Sequence, residues 1–243
     1  MSLRGHPDYV TPVSQVYIEG LVGLEELAAR LGSIVPWDIE GNVVLMEDFE
    51  TELTEWVSDC DGLGSTATRS SRHKYSGDWS AKLYNVGGVG AGADLYRYLH
   101  YPGLLKYAIF ARWCWDENCK TIFLSAILRS GSKEFYIEFT YDLLTTTLSV
   151  LTTDGDQHDV DTALTLSEDT HVWYPALITA DLAAEKYDKL YFADKEYDIS
   201  DVDLLVTSEA LLPDGIIRVG AISGGGATFT AYVDGVILAK NVP

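Results

Sequence analysis

From residue 43 onward the chain alternates apolar and polar side chains with a period of two. In WSAKLYNV, Trp79, Ala81 and Leu83 oppose Ser80, Lys82 and Tyr84. In KEFYIEFTYD, Phe135, Ile137, Phe139 and Tyr141 oppose Glu134, Tyr136, Glu138 and Thr140. Such alternation turns one set of side chains to a buried face and the other to water. LLKYAIFARWCW reads as one long strand, and TIFLSAILRS as its partner across a turn through WDEN. Further strands follow in TTTLSVLTTDG, VWYPALITADL, EKYDKLYFADKEYDIS, GIIRVGAIS and ATFTAYVDGVILAK. Ser130–Gly131, Asp154–Gly155, Pro213–Asp214–Gly215 and Gly224–Gly225–Gly226 separate them with turn residues. About a dozen strands at this spacing, with no helical window between them, predict an all-β, two-sheet antiparallel jelly-roll sandwich.

Residues 1–42 follow another period. Pro7 and Pro12 mark extended backbone. In LVGLEELAARLG, the residues Leu24, Leu27, Ala28 and Leu31 form one helical stripe, and Gly32 is a stop. This predicts an N-terminal arm with one amphipathic helix over about 21–32 and a linker, followed by a sandwich domain over 43–243. A helix this short is marginal alone, so it must pack on the sandwich or on a neighbouring subunit.

Charge narrows the partners. There are 37 acids against 17 bases, a net charge of −20. That disfavours nucleic acid and anionic membrane surfaces, which draw affinity from basic patches. It is compatible with cations such as calcium. Three cysteines, Cys60, Cys114 and Cys119, are too few for a disulfide scaffold. Cys114 and Cys119 either pair across the WDEN turn or stay reduced. MSLRGHPDYVTPVSQ lacks the apolar stretch of a signal peptide, so cytoplasmic synthesis is expected. No apolar run reaches the roughly 18 residues of a membrane span.

Three elements carry a resemblance. They are Asp48–Phe49–Glu50 with Trp56, then Tyr75–Ser76–Gly77–Asp78–Trp79, then Tyr232–Val233–Asp234. Together they resemble jelly-roll carbohydrate-binding modules and concanavalin A-like lectin and glucanase sandwiches. In that group the first and last strands are neighbours, so the distant acids meet. The resemblance implies a structural Ca2+ held by Glu50 and Asp234 first and Asp48 second, with carbonyls near residues 74–78. Gly235 departs from the pattern, standing where many relatives carry a second aspartate. The polar GHPDY leader and ELAARLGSI helix before a DFE sandwich also look like phage and prophage virion proteins.

Catalytic signals are weak. Glu134-x-Tyr136-x-Glu138 lacks the central acid of a glycosidase strand. The glycine-rich NVGGVGAGAD lacks a phosphate cradle's lysine. Histidines 6, 73, 100, 158 and 171 are scattered, and no Gly-x-Ser-x-Gly occurs. Sugar would instead stack on exposed aromatics, for which the candidates are Tyr96, Tyr98, Tyr101, Trp113 and Trp115; both tryptophans also suit core packing. The primary reading is therefore a non-catalytic structural protein. It would be a virion component, capsid- or tail-associated, that self-associates or joins other virion subunits through residues 1–42. The alternative is a carbohydrate-binding module or lectin with a polysaccharide partner.

Overall fold

The computed structural model describes residues 41–242, apart from 63, 89, 101–102, 117, 168–170, 209–213 and 224–226. The predicted helix over about 21–32 and the candidate Tyr101 lie outside the described residues. Sixteen strands occur among those described: β1 (Asn42–Glu47), β2 (Val57–Cys60), β3 (Thr66–Ser70), β4 (Ser80–Asn85), β5 (Gly92–His100), β6 (Lys106–Trp115), β7 (Cys119–Ser130), β8 (Lys133–Asp142), β9 (Thr147–Leu151), β10 (Gln157–Asp161), β11 (Tyr174–Asp181), β12 (Lys186–Phe192), β13 (Lys195–Asp198), β14 (Leu205–Ser208), β15 (Asp214–Ser223) and β16 (Phe229–Lys240). A single 3-10 turn, Leu53–Glu55, is the helical element among them.

The strands form two antiparallel sheets packed face to face. The first runs β13-β12-β11-β6-β16-β4-β3, with β1 also on β16. The second runs β10-β9-β8-β7-β15-β5-β2, with β14 also on β8. Alternation sends Ile109, Ala111 and Trp113 of β6 inward to meet Leu124, Ala126 and Leu128 of β7 in one continuous core. The hydroxyl of buried Tyr187 on β12 crosses that core. It donates to the Leu151 carbonyl (2.9 Å) and accepts the Glu138 N–H (3.2 Å), tying the first sheet to the second.

Two sequence expectations fail here. β6 and β7 are not a hairpin; the WDEN stretch carries the chain from one sheet to the other. Local pattern cannot separate these cases, because an apolar strand pair joined by a short turn can either pair edge to edge or stack across the core. Of the two alternatives for Cys114 and Cys119 the reduced one holds: both are buried thiols with no disulfide between them. Cys119 is in the core, whereas Cys114 points out of the first sheet beside Tyr232, with which it is in register. Trp113 and Trp115 are buried core residues, not ligand platforms. Trp115 stacks on Tyr174 at 5.1 Å, and an indole enclosed between sheets has no face left for a sugar.

The edge of β16 positions the first candidate site. Its first half, Phe229–Val233, pairs with β4, and its second half, Val236–Lys240, pairs with β1. Between them Asp234 and Gly235 pair with neither strand. The register against β6 also shifts there, and Gly235 is left-handed at φ +62°. Such a bulge re-aims the side chain beside it.

Candidate functional site

Asp234 stands at this seam with no exposed surface. Its Oδ2 accepts the backbone N–H groups of Tyr75 (2.8 Å) and Ser76 (3.0 Å). One turn later, Glu50 Oε1 accepts the N–H groups of Asp78 (2.7 Å) and Trp79 (2.9 Å). Both acids thus fold the loop between β3 and β4 over the gap. Gly77, at φ +61°, lies between the two pairs, and a Cβ there would stand 2.2 Å from Glu50 Oε1. Glycine is required by space as well as by conformation.

Asp48, the second acid of the expected calcium set, makes a local bond. Its Oδ1 accepts the Glu50 N–H at 3.1 Å, closing a local turn. The organising acid that sequence reasoning missed is Glu47. Its two oxygens accept the Phe49 N–H (2.8 Å) and the Trp56 indole N–H (3.0 Å). They hold Phe49, buried and left-handed at φ +57°, against Trp56. The signal was present: an acid nine residues before a tryptophan can cap its indole.

Burial pushes the Asp234 carboxyl up to about 6, against the pull of the Ser76, Tyr75 and Gly235 N–H groups and of Arg112. Its Oδ1 is buried without a partner. Arg112 is opposite in register on β6, also buried, with Nη1 unpartnered and its guanidinium stacked 3.7 Å from the Tyr75 ring. A cation at this seam would meet Asp234 Oδ1 and the Glu50 oxygen that accepts none of these bonds. It would also sit beside the Arg112 charge. Among the described residues, no three His, Cys, Asp or Glu side chains are grouped to hold a metal ion. Backbone carbonyls would have to complete calcium's usual shell of about 6–8 oxygens.

The outer face of the second sheet carries a different chemistry. Register places Glu138, Ser125, Arg218 and Tyr96 side by side across β8, β7, β15 and β5. The neighbouring row is Tyr136, Ile127, Ile216 and Tyr98. Arg218 grips Asp94 with two bonds, 2.6 and 2.9 Å. Gln157 Nε2 donates to Glu138 Oε1 at 3.3 Å and takes a bond from Thr140 through its oxygen. Burial pushes up both the Glu138 and Asp94 carboxyls, the former against Gln157 and Arg218, the latter against its Arg218 partner. Tyr96 and Tyr98 meet edge to face at 5.7 Å, and Tyr98 is 55% exposed. Of the five aromatic candidates these two lie on an accessible face.

Glu138 and Asp94 do not make a glycosidase pair, and Asp59, which stands opposite Asp94 in register on β2, shares the Arg218 guanidinium with it. Glu138 and Asp94 stand three strands apart, about 14 Å at roughly 4.8 Å per strand. Hydrolysis needs two carboxyl groups about 5–9.5 Å apart. Glu134 is engaged at the other end of β8, bonded to Arg129 and to the Tyr136 hydroxyl.

A cleft of about 390 Å³ opens beside the seam, lined by Arg72, His73, Lys74, Tyr75, His171 and Trp173. His73 packs its ring on Tyr232 (4.7 Å) and on His171 (5.2 Å), and Trp173 stands edge-on to Tyr75 at 6.3 Å. This cleft was not anticipated. Its one sequence signal was the basic triplet Arg72–His73–Lys74 in an acidic chain.

No family model matches the chain, and no curated protein matches it. Solved structures do. An endo-β-1,4-glucuronan lyase of Trichoderma reesei superposes with a TM-score of 0.52 at 10% identity, over 82% of this chain and 95% of that one. Lectin I-B4 of Griffonia simplicifolia, metal-free, gives 0.52 at 11% identity, over 82% and 100%. A carbohydrate esterase of Shiga toxin-encoding bacteriophage phi24B gives 0.51 at 12% identity, over 83% and 99%. The fold is the concanavalin A-like sandwich. Within it, enzymes and lectins share one architecture, so chemistry must be argued from the side chains. In this concanavalin A-like chain those side chains form the seam, the second sheet's outer face and the cleft.

Proposed function

We propose that the protein is a non-catalytic carbohydrate-binding sandwich that takes a polysaccharide on the outer face of the second sheet. The observation that carries this reading is the pair of adjoining rows on that face. One offers the Glu138 carboxyl and the Arg218 guanidinium; the other ends in the half-exposed ring of Tyr98. Sugars ask for that mixture, since hydroxyls need bidentate polar partners and ring faces need aromatic surface. Arg218 holds Asp94 by two bonds and reaches Asp59 at 3.9 Å, an ion-pair arrangement that speaks against hydrolysis by these two acids. Affinity electrophoresis through gels containing polysaccharide tests it. Tyr98→Ala and Arg218→Ala should restore free migration, and a panel of glycans that retards none of the proteins would defeat the reading.

A virion role is the second reading, and the helical stripe over about 21–32 supports it, with assembly through residues 1–42. Light scattering of the full chain beside a chain starting at residue 41 tests it: equal particle size in both would remove it. Calcium at Glu50 and Asp234 is a structural proposal supported by the unpartnered Asp234 Oδ1. Its role would be to clamp β1, β16 and the loop before β4.

A further inference from the structure

We propose that the cleft of Arg72, Lys74, Tyr75 and Trp173 binds an acidic sugar, a carboxylated or sulfated unit of a polysaccharide. It lies on the outer side of the first sheet, since His73 rests on the outward-facing Tyr232 and Tyr75 covers Arg112. It is therefore independent of the Tyr98 face.

Charge is the first reason. The chain has only 17 basic residues against 37 acids, yet two of them, Arg72 and Lys74, flank one histidine here and both are exposed. A third, Arg112, is buried beneath Tyr75 and faces Asp234, so the charge open to a ligand is that of Arg72 and Lys74. A neutral sugar has no use for that concentration of cations. A carboxylate or sulfate matches the guanidinium fork of Arg72 and the point charge of Lys74. Among the described residues Lys74 meets the exposed Asp78 carboxylate, at 3.6 Å, a contact that a ligand anion would replace. Acids elsewhere on the surface act weakly at this spot, because physiological salt screens charges beyond about 8 Å.

Shape is the second reason. Tyr75 keeps 49% of its surface exposed while Arg112 occupies one side of its ring. Trp173 stands edge-on beside it. A volume of about 390 Å³ suits one or two sugar rings and falls within the usual range of roughly 300–1,000 Å³ for small-molecule sites.

Rigidity is the third reason. The loop that supplies Arg72 to Tyr75 is held at Tyr75 and just beyond it, where Asp234 accepts the N–H groups of Tyr75 and Ser76 and Glu50 those of Asp78 and Trp79. The Ser80 hydroxyl also donates to the His73 carbonyl. A site held in place before binding loses little ordering entropy when the ligand arrives.

Isothermal titration of the full chain decides the matter. The probes are tetragalacturonate, a chondroitin sulfate tetrasaccharide, maltotetraose and sodium sulfate. At least one acidic tetrasaccharide should bind saturably and, with Tyr98→Ala in place, at least tenfold more tightly than maltotetraose and sodium sulfate. The double variant Arg72→Ala/Lys74→Ala and the single variant Trp173→Ala should each weaken that binding tenfold or more, and Tyr98→Ala should leave it unchanged. The proposal is overturned if neither acidic probe binds, or if the neutral one binds equally to the Tyr98→Ala variant, in which the second-sheet site is removed. It is likewise overturned if bare sulfate accounts for the affinity, or if the double variant binds like wild type. Loss on Tyr98→Ala with retention in the double variant would move the site to the second sheet and leave the carbohydrate reading standing.

Discussion

Tyr75 donates its backbone N–H to Asp234 Oδ2 at 2.8 Å across 159 residues of chain. That bond and its neighbours convert an edge where two strands stop short of each other into a closed seam. They also fix the loop from which Arg72, His73 and Lys74 project. Stability at the seam and geometry of the cleft are thereby the same problem.

Gly77 is the position where the seam has least room. A Cβ would stand 2.2 Å from Glu50 Oε1, and the backbone is left-handed at φ +61°. Gly131 has nearly the same backbone, φ +66°, with nothing within 4 Å. Gly131→Ala should therefore cost only the backbone penalty, about 1 kcal/mol. Gly77→Ala should add an overpacking cost and reach about 3 kcal/mol. Urea denaturation of the two variants measures the difference, and equal losses would contradict the packing described.

Calcium should raise the melting temperature of the wild-type chain and not that of Asp234→Asn if the seam holds it. At about a hundredfold excess over the dissociation constant the gain is about 2.7 kcal/mol. A melting curve unchanged between calcium and chelator would remove the ion from the seam.

Glu138 gives the second sheet a pH signature. Burial raises its carboxyl above the ordinary range, so the folded state holds the proton more tightly than the unfolded chain does. Its contribution to stability is fully present below the unfolded-chain value and is lost as pH rises through the higher folded value. Glu138→Gln should lose that dependence. Relative to the wild type, the variant should gain stability as pH is raised from the acid range toward neutrality, in denaturant titrations at matched ionic strength. A constant difference across that range would argue against the burial.

Trp115 and Tyr98 should separate folding from binding. Trp115→Ala should cost about 3–5 kcal/mol, as large aromatic truncations in cores do. Tyr98→Ala should stay within about 0.5 kcal/mol of wild type, as exposed positions do, while lowering polysaccharide affinity. Thermal melts and gel retardation on the same preparations provide both readings.

The strands were legible because a half-buried strand writes its two faces into alternate residues. The β8 stretch from Phe135 to Tyr141 shows this most clearly, and its outward set contains Glu138. Trp113 and Trp115 were ambiguous for the same reason, since alternation tells which residues share a face but not whether that face looks inward. The neighbourhood of Asp234 and Glu50 was read from a motif rather than from spacing. The passage of β6 and β7 into different sheets was invisible, because it depends on which edge β16 and β15 occupy, far along the chain. The Asp94–Arg218 pair, 124 residues apart, and the meeting of His73 with His171 were invisible too. Contacts of that range leave no local trace.

The pairing of Asn42 with Lys240 sets the two ends of the sandwich at the same end of one antiparallel ribbon. Tension applied through residues 41 and 242 would open β1 from β16 rung by rung, loading one pair of hydrogen bonds at a time rather than shearing them together. The domain should therefore yield at low force in a single-molecule pull from those points. The same adjacency means that a short linker could join them into a circularly permuted chain, reopened at the exposed Gly155 turn, with the core intact.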